Sequence, residues 1–158
     1  MGEESITMEL TYRMLQAAEA ACLKESLLGL GQYHNEIAEN REYIYPTVDV
    51  SVSVETIASG IREGNMLART AWDGDTLAGF CVIGLDRAGR VGELKYLYTA
   101  EEYRGMGLGG TLTDWAMETF AKAGMERIDL RVVIGNPAVG FYEKYDFAPR
   151  ILVMSKKI

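Results

Sequence analysis

The 158-residue sequence is poor in several residue types that organise small domains, and each scarcity excludes a class of protein. The two cysteines, Cys22 and Cys81, lie far apart, and with a single histidine no metal-binding spacing occurs, so we predict neither a disulfide framework nor a metal site. Only three prolines are present and no low-complexity linker separates them, which favours one domain over residues 1–158. No apolar run reaches membrane-spanning length and no apolar leader follows Met1, so the expected location is the cytoplasm, away from membranes.

Positive charge is also in short supply. The chain has 16 Lys and Arg against 23 Asp and Glu, a formal net charge of −7. This balance argues against nucleic acid as a partner, because a phosphate backbone selects basic surfaces. An acidic surface favours cationic substrates such as amines, although acidity is also common among cytosolic proteins with other substrates.

The first half of the chain predicts one strand followed by helices. Residues 6–10 are typical of a short strand, and apolar residues recur at helical spacing from Tyr12 to about Asn40. Two glycines, Gly29 and Gly31, are expected to divide that stretch into two helices. The pattern then predicts an irregular loop over residues 41–54 and a short helix over residues 55–63.

The second half predicts a mixed α/β sheet covered by helices. Turn signals separate three strands, at residues 66–72, 77–85 and 91–98, which form an antiparallel meander. An amphipathic helix that ends near Gly124, a strand over residues 127–133, a helix opened by Asn136 and Pro137, and a final strand over residues 147–154 follow.

The most informative stretch is the glycine-rich segment from Tyr103 to Leu112, between a predicted strand and the amphipathic helix. Glycine permits tight turns and lets backbone N–H groups approach a ligand closely. At a helix N-terminus these donors and the helix dipole favour phosphate. The segment therefore predicts a site for a phosphorylated cofactor.

Three interpretations of this segment were compared. Its glycines satisfy the G-x-G-x-x-G pattern of dinucleotide-binding folds, but the next strand ends without the Asp or Glu that would hold a ribose. A P-loop is excluded because no Gly-Lys-Ser/Thr follows. The better match is R-x-x-G-x-G, formed by Arg104, Gly107 and Gly109. Together with the later run from Asn136 to Phe147, this segment resembles the GCN5-related N-acetyltransferase (GNAT) superfamily.

The resemblance implies the GNAT fold, a mostly antiparallel sheet with one splayed parallel strand pair, flanked by helices. It also implies an N-acetyltransferase that moves the acetyl group of acetyl-CoA directly to an amine of a small molecule or of a protein or peptide. A non-catalytic acyl-CoA-binding module with the same fold is the alternative. Dimers are frequent in the superfamily, so a homodimer is an expectation from the resemblance alone.

The resemblance assigns cofactor-binding residues to three segments. On the strand before the loop they are Leu97, Tyr98 and Thr99, with a backbone N–H near Leu97 or Tyr98 polarising the thioester carbonyl. In the loop they are Arg104, Gly105, Met106, Gly107, Leu108, Gly109 and Gly110. On the later helix they are Asn136, Phe141 and Tyr142.

The resemblance implies Tyr142 as the catalytic residue, because the superfamily commonly has a tyrosine there whose phenol can donate a proton to the departing thiolate. It also implies Glu93 as the general base, and strict strand alternation would place Glu93 with Lys95 and Leu97, opposite Leu94, Tyr96 and Tyr98. Acceptor contacts are expected from Tyr33, His34 and Glu36, because they lie in the segment that forms the acceptor side of such folds. Asp146 stands where the superfamily usually has glycine, and it must then adopt a left-handed conformation at a modest cost.

Overall fold

The computed structural model describes residues 9–37, 49–156 and 158. Their sheet has five strands in the order β1-β2-β3-β4-β5. The strands are β1 (Thr11–Met14), β2 (Met66–Asp73), β3 (Thr76–Asp86), β4 (Val91–Thr99) and β5 (Arg127–Leu130). The first four pair antiparallel, whereas β5 runs parallel to β4. The predicted meander and the mixed α/β class are therefore confirmed.

Four helices cover this sheet: α1 (Lys24–Ile37), α2 (Val50–Glu63), α3 (Leu108–Lys122) and α4 (Ala138–Glu143). A 3₁₀ helix over Ala17–Leu23 leads directly into α1. One face of the sheet carries Cys81 and Ile83 against α3, and the other carries Phe80 and Val82 against α1 and α2. Within the described part of the chain, no helix is long and apolar enough to cross a bilayer.

The first predicted strand lies mostly outside the described residues, and the first predicted helix begins too early in the chain. Residues 6–8 lie outside the described residues, residues 9 and 10 precede the sheet, and Thr11–Met14 forms the strand instead of helix. The helix α1 continues through Gly29 and Gly31 without a break. An isolated helical glycine costs only about 1 kcal/mol relative to alanine, which packing of the neighbouring Leu27 offsets.

The predicted loop over residues 41–54 is also partly wrong, although residues 41–48 lie outside the described residues. The Asp49 side chain accepts a hydrogen bond from the Ser51 N–H (2.9 Å), so α2 begins at Val50, five residues before the predicted start at residue 55. Its end is as predicted, because Gly64 adopts a left-handed conformation (φ 77°) and its N–H bonds back to the carbonyls of residues 60 and 61.

The last predicted strand is absent from the described structure. Residues 147–154 form no ladder, and the apolar side chains of residues 151–154 are open to solvent, from 69% exposed at Ile151 to 85% at Met154. An ion pair between Arg150 and Asp129 of β5 (3.7 Å) joins this segment to the sheet. An apolar run favours a strand only where a partner edge lies in register, and sequence periodicity does not supply that partner.

Candidate active site

The parallel pair of β4 and β5 opens a cleft. Their register runs from Val91 opposite Arg127 to Leu94 opposite Leu130 and then stops. Strand β4 continues to Thr99, whereas β5 ends, so the predicted strand over residues 127–133 stops three residues early. Backbone groups on the β5 side of residues 95–99 thus have no partner strand within the described chain. The resemblance implied a splayed pair of this kind.

A cavity of about 350 Å³ fills this opening. Strand β4 supplies residues 94–99 to the lining, and the end of β5 with the two residues after it supplies residues 130–132. The helix α1 closes one side, and α4 with the preceding turn closes another. The lining from these helices consists of Leu30, Tyr33, His34, Asn136, Pro137, Ala138 and Tyr142, and Arg104 completes it.

A bulge in β4 decides which side chains face which core. Val82 lies opposite Tyr96 and Ile83 opposite Leu94, so Lys95 is the extra residue. After the bulge, Leu97 packs with Leu94 on the α3 face, whereas Tyr96 packs on the α1 and α2 face. The strict alternation expected from the sequence is therefore wrong, because one inserted residue reverses the faces of the residues that follow.

The glycine loop follows Arg104, which lines the cleft, and leads into the N-terminus of α3. Gly105 and Gly107 both have left-handed backbone angles (φ 80° and 78°), and a Cβ at either would meet no atom within 4 Å. The first hydrogen bond of α3 runs from the Thr111 N–H to the Gly107 carbonyl (3.0 Å). The N–H groups of residues 108–110 precede it, and such groups have no acceptor inside a helix.

Side chains around the loop fix it to the sheet. The Arg104 Nε donates to the Thr99 carbonyl (3.3 Å), which ties the loop to the end of β4. The buried Tyr103 donates its hydroxyl hydrogen bond to Asp73 at the end of β2 (2.7 Å). The loop is thus held from both sides before any ligand binds.

Tyr142 lies on α4 beside the cleft and is half-buried, with its ring against Phe141 and Phe147. Burial, with a smaller contribution from the nearby Cys81, raises the pKa of Tyr142 to about 12. The phenol therefore stays protonated at neutral pH. The Asn136 side chain accepts the Ala138 N–H (2.9 Å) and caps α4, which begins one residue later than predicted.

The end of α4 is joined to α3 by Tyr145. Its hydroxyl lies 3.0 Å from Asp114 Oδ1 and 3.3 Å from the Gly110 carbonyl. The next residue, Asp146, adopts the left-handed conformation (φ 66°) that the sequence required of it. This turn lets the Phe147 N–H bond to the Tyr142 carbonyl (3.3 Å). The helix that carries Tyr142 is consequently fixed at its C-terminal end.

About half of the predicted site residues line the main cavity, whereas residues 105–110 of the glycine loop lie outside its lining. Leu97, Tyr98, Thr99, Arg104, Asn136, Tyr142, Tyr33 and His34 line the main cavity. Phe141 contacts the Tyr142 ring without lining the cavity, and Glu36 is exposed outside the lining. Burial lowers the pKa of His34, which favours its neutral form. The binding roles of these residues stay predictions.

Glu93 lies in a second, smaller cavity of about 150 Å³, between β4 and α2. Its carboxylate pairs with the Lys95 ammonium (3.2 Å), and both side chains are partly exposed. Lys95 and Tyr96 line both cavities. The sequence did not single out Lys95 or Arg131 as site residues, since only the bulge and the end of β5 bring them to the cleft.

Residues 30–147 match the model of the acetyltransferase (GNAT) family. That match covers most of the chain, and the protein belongs to this family. The family uses acetyl-CoA as its acyl donor. No curated protein sequence matches the chain significantly.

Solved structures share the fold at low identity. An acetyltransferase from Trypanosoma brucei is 21% identical (TM-score 0.63), with 95% of this chain and 100% of that chain covered. A PaiA N-acetyltransferase from Thermoplasma acidophilum, in complex with coenzyme A, is 23% identical (TM-score 0.68), with 88% of each chain covered. A ribosomal-protein-alanine N-acetyltransferase from Brucella melitensis is 17% identical (TM-score 0.61), with 95% and 98% covered.

The cleft fits this cofactor in two respects. An anion at the loop would find the free N–H groups at the start of α3 and the open space beside Gly105 and Gly107. An extended chain entering the cleft would find the unpartnered edge of β4 beyond Leu94. The residues present therefore fit a nucleotide with an extended amide-bearing arm, which is the chemistry of coenzyme A.

Proposed function

We propose that the protein is an acetyl-CoA-dependent N-acetyltransferase that acts on a primary amine. The single observation that carries this proposal is the joining of three features at one cleft. These are the glycine loop before α3, the separation of β4 from β5 after Leu94, and the protonated phenol of Tyr142. A catalytically inactive acyl-CoA-binding module would need the glycine loop and the separated strands but would have no need of the Tyr142 phenol.

Acetyl-CoA supplies an activated acetyl thioester when it is bound. The N–H groups of residues 108–110 would hold its pyrophosphate, with the positive end of the α3 dipole. Arg104 already donates Nε to the Thr99 carbonyl, which leaves its terminal nitrogens for a phosphate oxygen. Backbone N–H groups of Leu97 or Tyr98 would polarise the thioester carbonyl.

Tyr142 is proposed to stabilise the sulfur as the C–S bond breaks. A phenol is protonated at neutral pH, and burial raises the pKa of Tyr142 further, to about 12, so it would offer a hydrogen bond to a developing thiolate. Acetylation of an ammonium forms an N–C bond, breaks the C–S bond and removes two protons from nitrogen. Tyr142 would give its proton to the sulfur and regain one of the two amine protons through water, while the other amine proton would pass to solvent.

Glu93 is proposed to accept the proton that frees the amine for attack. Its carboxylate lies in the cavity next to the main cleft, with Lys95 between them, so the proton would travel through water rather than by direct contact. The expected cytoplasmic location and a homodimer are further predictions, and sedimentation of the purified protein would test the dimer.

The test measures thiol release from acetyl-CoA with a panel of amines, together with calorimetric binding of CoA. For Tyr142→Phe we expect the rate to fall by about a hundredfold or more while the dissociation constant for CoA changes little. Tyr12→Phe is the matched control, because Tyr12 lies on β1 outside the cavity lining. Tight CoA binding without turnover of any amine would favour the inactive module, and an unchanged rate in Tyr142→Phe would reject the assigned role of Tyr142.

A further inference from the structure

The cleft differs in charge from the protein as a whole. The chain carries a net charge of −7, yet the charged side chains lining the main cavity are Lys95, Arg104 and Arg131. Charge inside a partly desolvated cleft acts at short range, whereas the charge of the whole surface is screened beyond about 10 Å. The local cations therefore have more influence on what the cleft accepts than the overall acidity does.

These three cations occupy different ends of the cleft. Arg104 belongs to the glycine loop, and Arg131 directly follows the end of β5. Lys95 instead lies on the α2 side of the sheet, where Ser53, Thr56 and Glu93 line the smaller cavity with it. Arg104 has a proposed cofactor contact, whereas Lys95 and Arg131 have none, and of these two Lys95 also lines the cavity that holds Glu93.

The local structure restrains Lys95 in this position. The bulge inserts Lys95 into β4, and its aliphatic chain crosses Gly84, where an added Cβ would lie 2.8 Å from Lys95 Cε. Its ammonium is fixed at 3.2 Å from the Glu93 carboxylate, and 29% of its side chain is exposed. An ammonium has three donor hydrogens, so this ion pair leaves donors for a second anion.

We propose that the acceptor is a small amine that also carries a carboxylate, and that Lys95 binds this carboxylate. Tyr96 and Tyr33 line the main cavity together with Lys95 and provide apolar surface for the body of such a molecule. A polycationic amine would instead meet Lys95 and Arg131 at close range, which is unfavourable. This inference rests on the proposed N-acetyltransferase function and names the substrate class of that site.

The experiment compares acceptors that differ only in the carboxylate. The pairs are L-phenylalanine with 2-phenylethylamine and 4-aminobutyrate with propylamine, with spermidine as the polycation. In at least one pair, the member with the carboxylate should have a kcat/KM about tenfold or more higher than the member without it, because a charge-assisted hydrogen bond contributes that much. In Lys95→Met that preference should disappear, and in Lys95→Arg it should largely return.

Lys122→Met is the matched control, because Lys122 pairs with Glu118 on the exposed surface of α3. It should retain the preference, and CoA affinity should be similar in all variants. Equal rates for both members of every pair, faster turnover of spermidine, or an undiminished preference in Lys95→Met would overturn the inference.

A binding measurement separates this inference from the proposed function. Thermal shifts of the CoA-loaded protein are recorded with the same ligands, so the result does not depend on turnover. If no amine is acetylated, the proposed function fails. The anion site would still be supported if the carboxylate-bearing ligands shift the melting temperature of wild type and not that of Lys95→Met. Equal shifts in wild type and Lys95→Met would reject it.

Discussion

Gly107→Ala is the sharpest perturbation of the proposed cofactor loop, because the chain contains a matched glycine elsewhere. Gly107 has φ 78° and ψ 9°, and Gly64, at the end of α2, has φ 77° and ψ 13°. A Cβ at either position would meet no atom within 4 Å. The two substitutions therefore differ in location and hardly at all in local strain.

The expected loss of stability is the same for both variants. An alanine in the left-handed conformation costs roughly 1–2 kcal/mol, and for a domain of this size each kcal/mol lowers Tm by about 2–4 °C. Only Gly107→Ala also places a methyl group in the open space beside the first N–H groups of α3. Loss of one charge-assisted hydrogen bond to phosphate would weaken CoA binding by about tenfold or more.

The assay is calorimetric titration with CoA, combined with thermal unfolding of the free proteins. Gly64→Ala should unfold earlier than wild type yet bind CoA normally, whereas Gly107→Ala should show both defects. Unchanged CoA affinity in Gly107→Ala would refute the assignment of this loop. An equal loss of affinity in Gly64→Ala would show that general destabilisation, and not the loop, controls binding.

Three further predictions concern single groups. Burial first and Cys81 second raise the pKa of Tyr142 from 10.0 to about 12, so the folded state keeps a proton that the unfolded chain releases. The resulting stability is present below about pH 10 and declines as pH rises toward 12, and denaturant unfolding of Tyr142→Phe should show a shallower decline. A disulfide reagent should modify exposed Cys22 in the native protein but reach Cys81 only after unfolding, because burial raises the pKa of Cys81 to about 12. Gly92→Ala should lower the free energy of unfolding by about 1–3 kcal/mol, since its Cβ would overlap the Phe120 ring under α3.

Each of these predictions has a control or a contrary result. An unaltered alkaline decline in Tyr142→Phe would mean that other groups cause it. Cys22→Ser should abolish the native thiol reaction, and a remaining fast reaction would place Cys81 at the surface. Gly29→Ala, in a helix with no neighbour within 4 Å, should instead raise stability by about 0.5–1 kcal/mol, and a loss there would contradict the packing argument.

The sequence was most informative where chemistry is local. Glycines before α3, the Asn136 cap and the turn signals of the meander each act within a few residues, and their elements form as expected. The final strand failed because it needed a distant partner, whereas the helix break at Gly29 and the start of α2 failed although their signals are local. Residues 147–154 have strand-like composition without a ladder, and Gly29 lies inside a continuous helix.

The sequence by itself determined the family motifs, their order and the groups available for chemistry, which are a glycine loop before one helix and a tyrosine on a later helix. That residues 1–158 form a single domain stays a prediction. Only the tertiary structure decided where β4 leaves β5 and that the bulge at Lys95 places this cation on the α2 side of the sheet, beside Glu93. The physical reason is that register and bulges arise from pairing with β3 and β5, strands that lie elsewhere in the chain, and no local pattern in β4 encodes them.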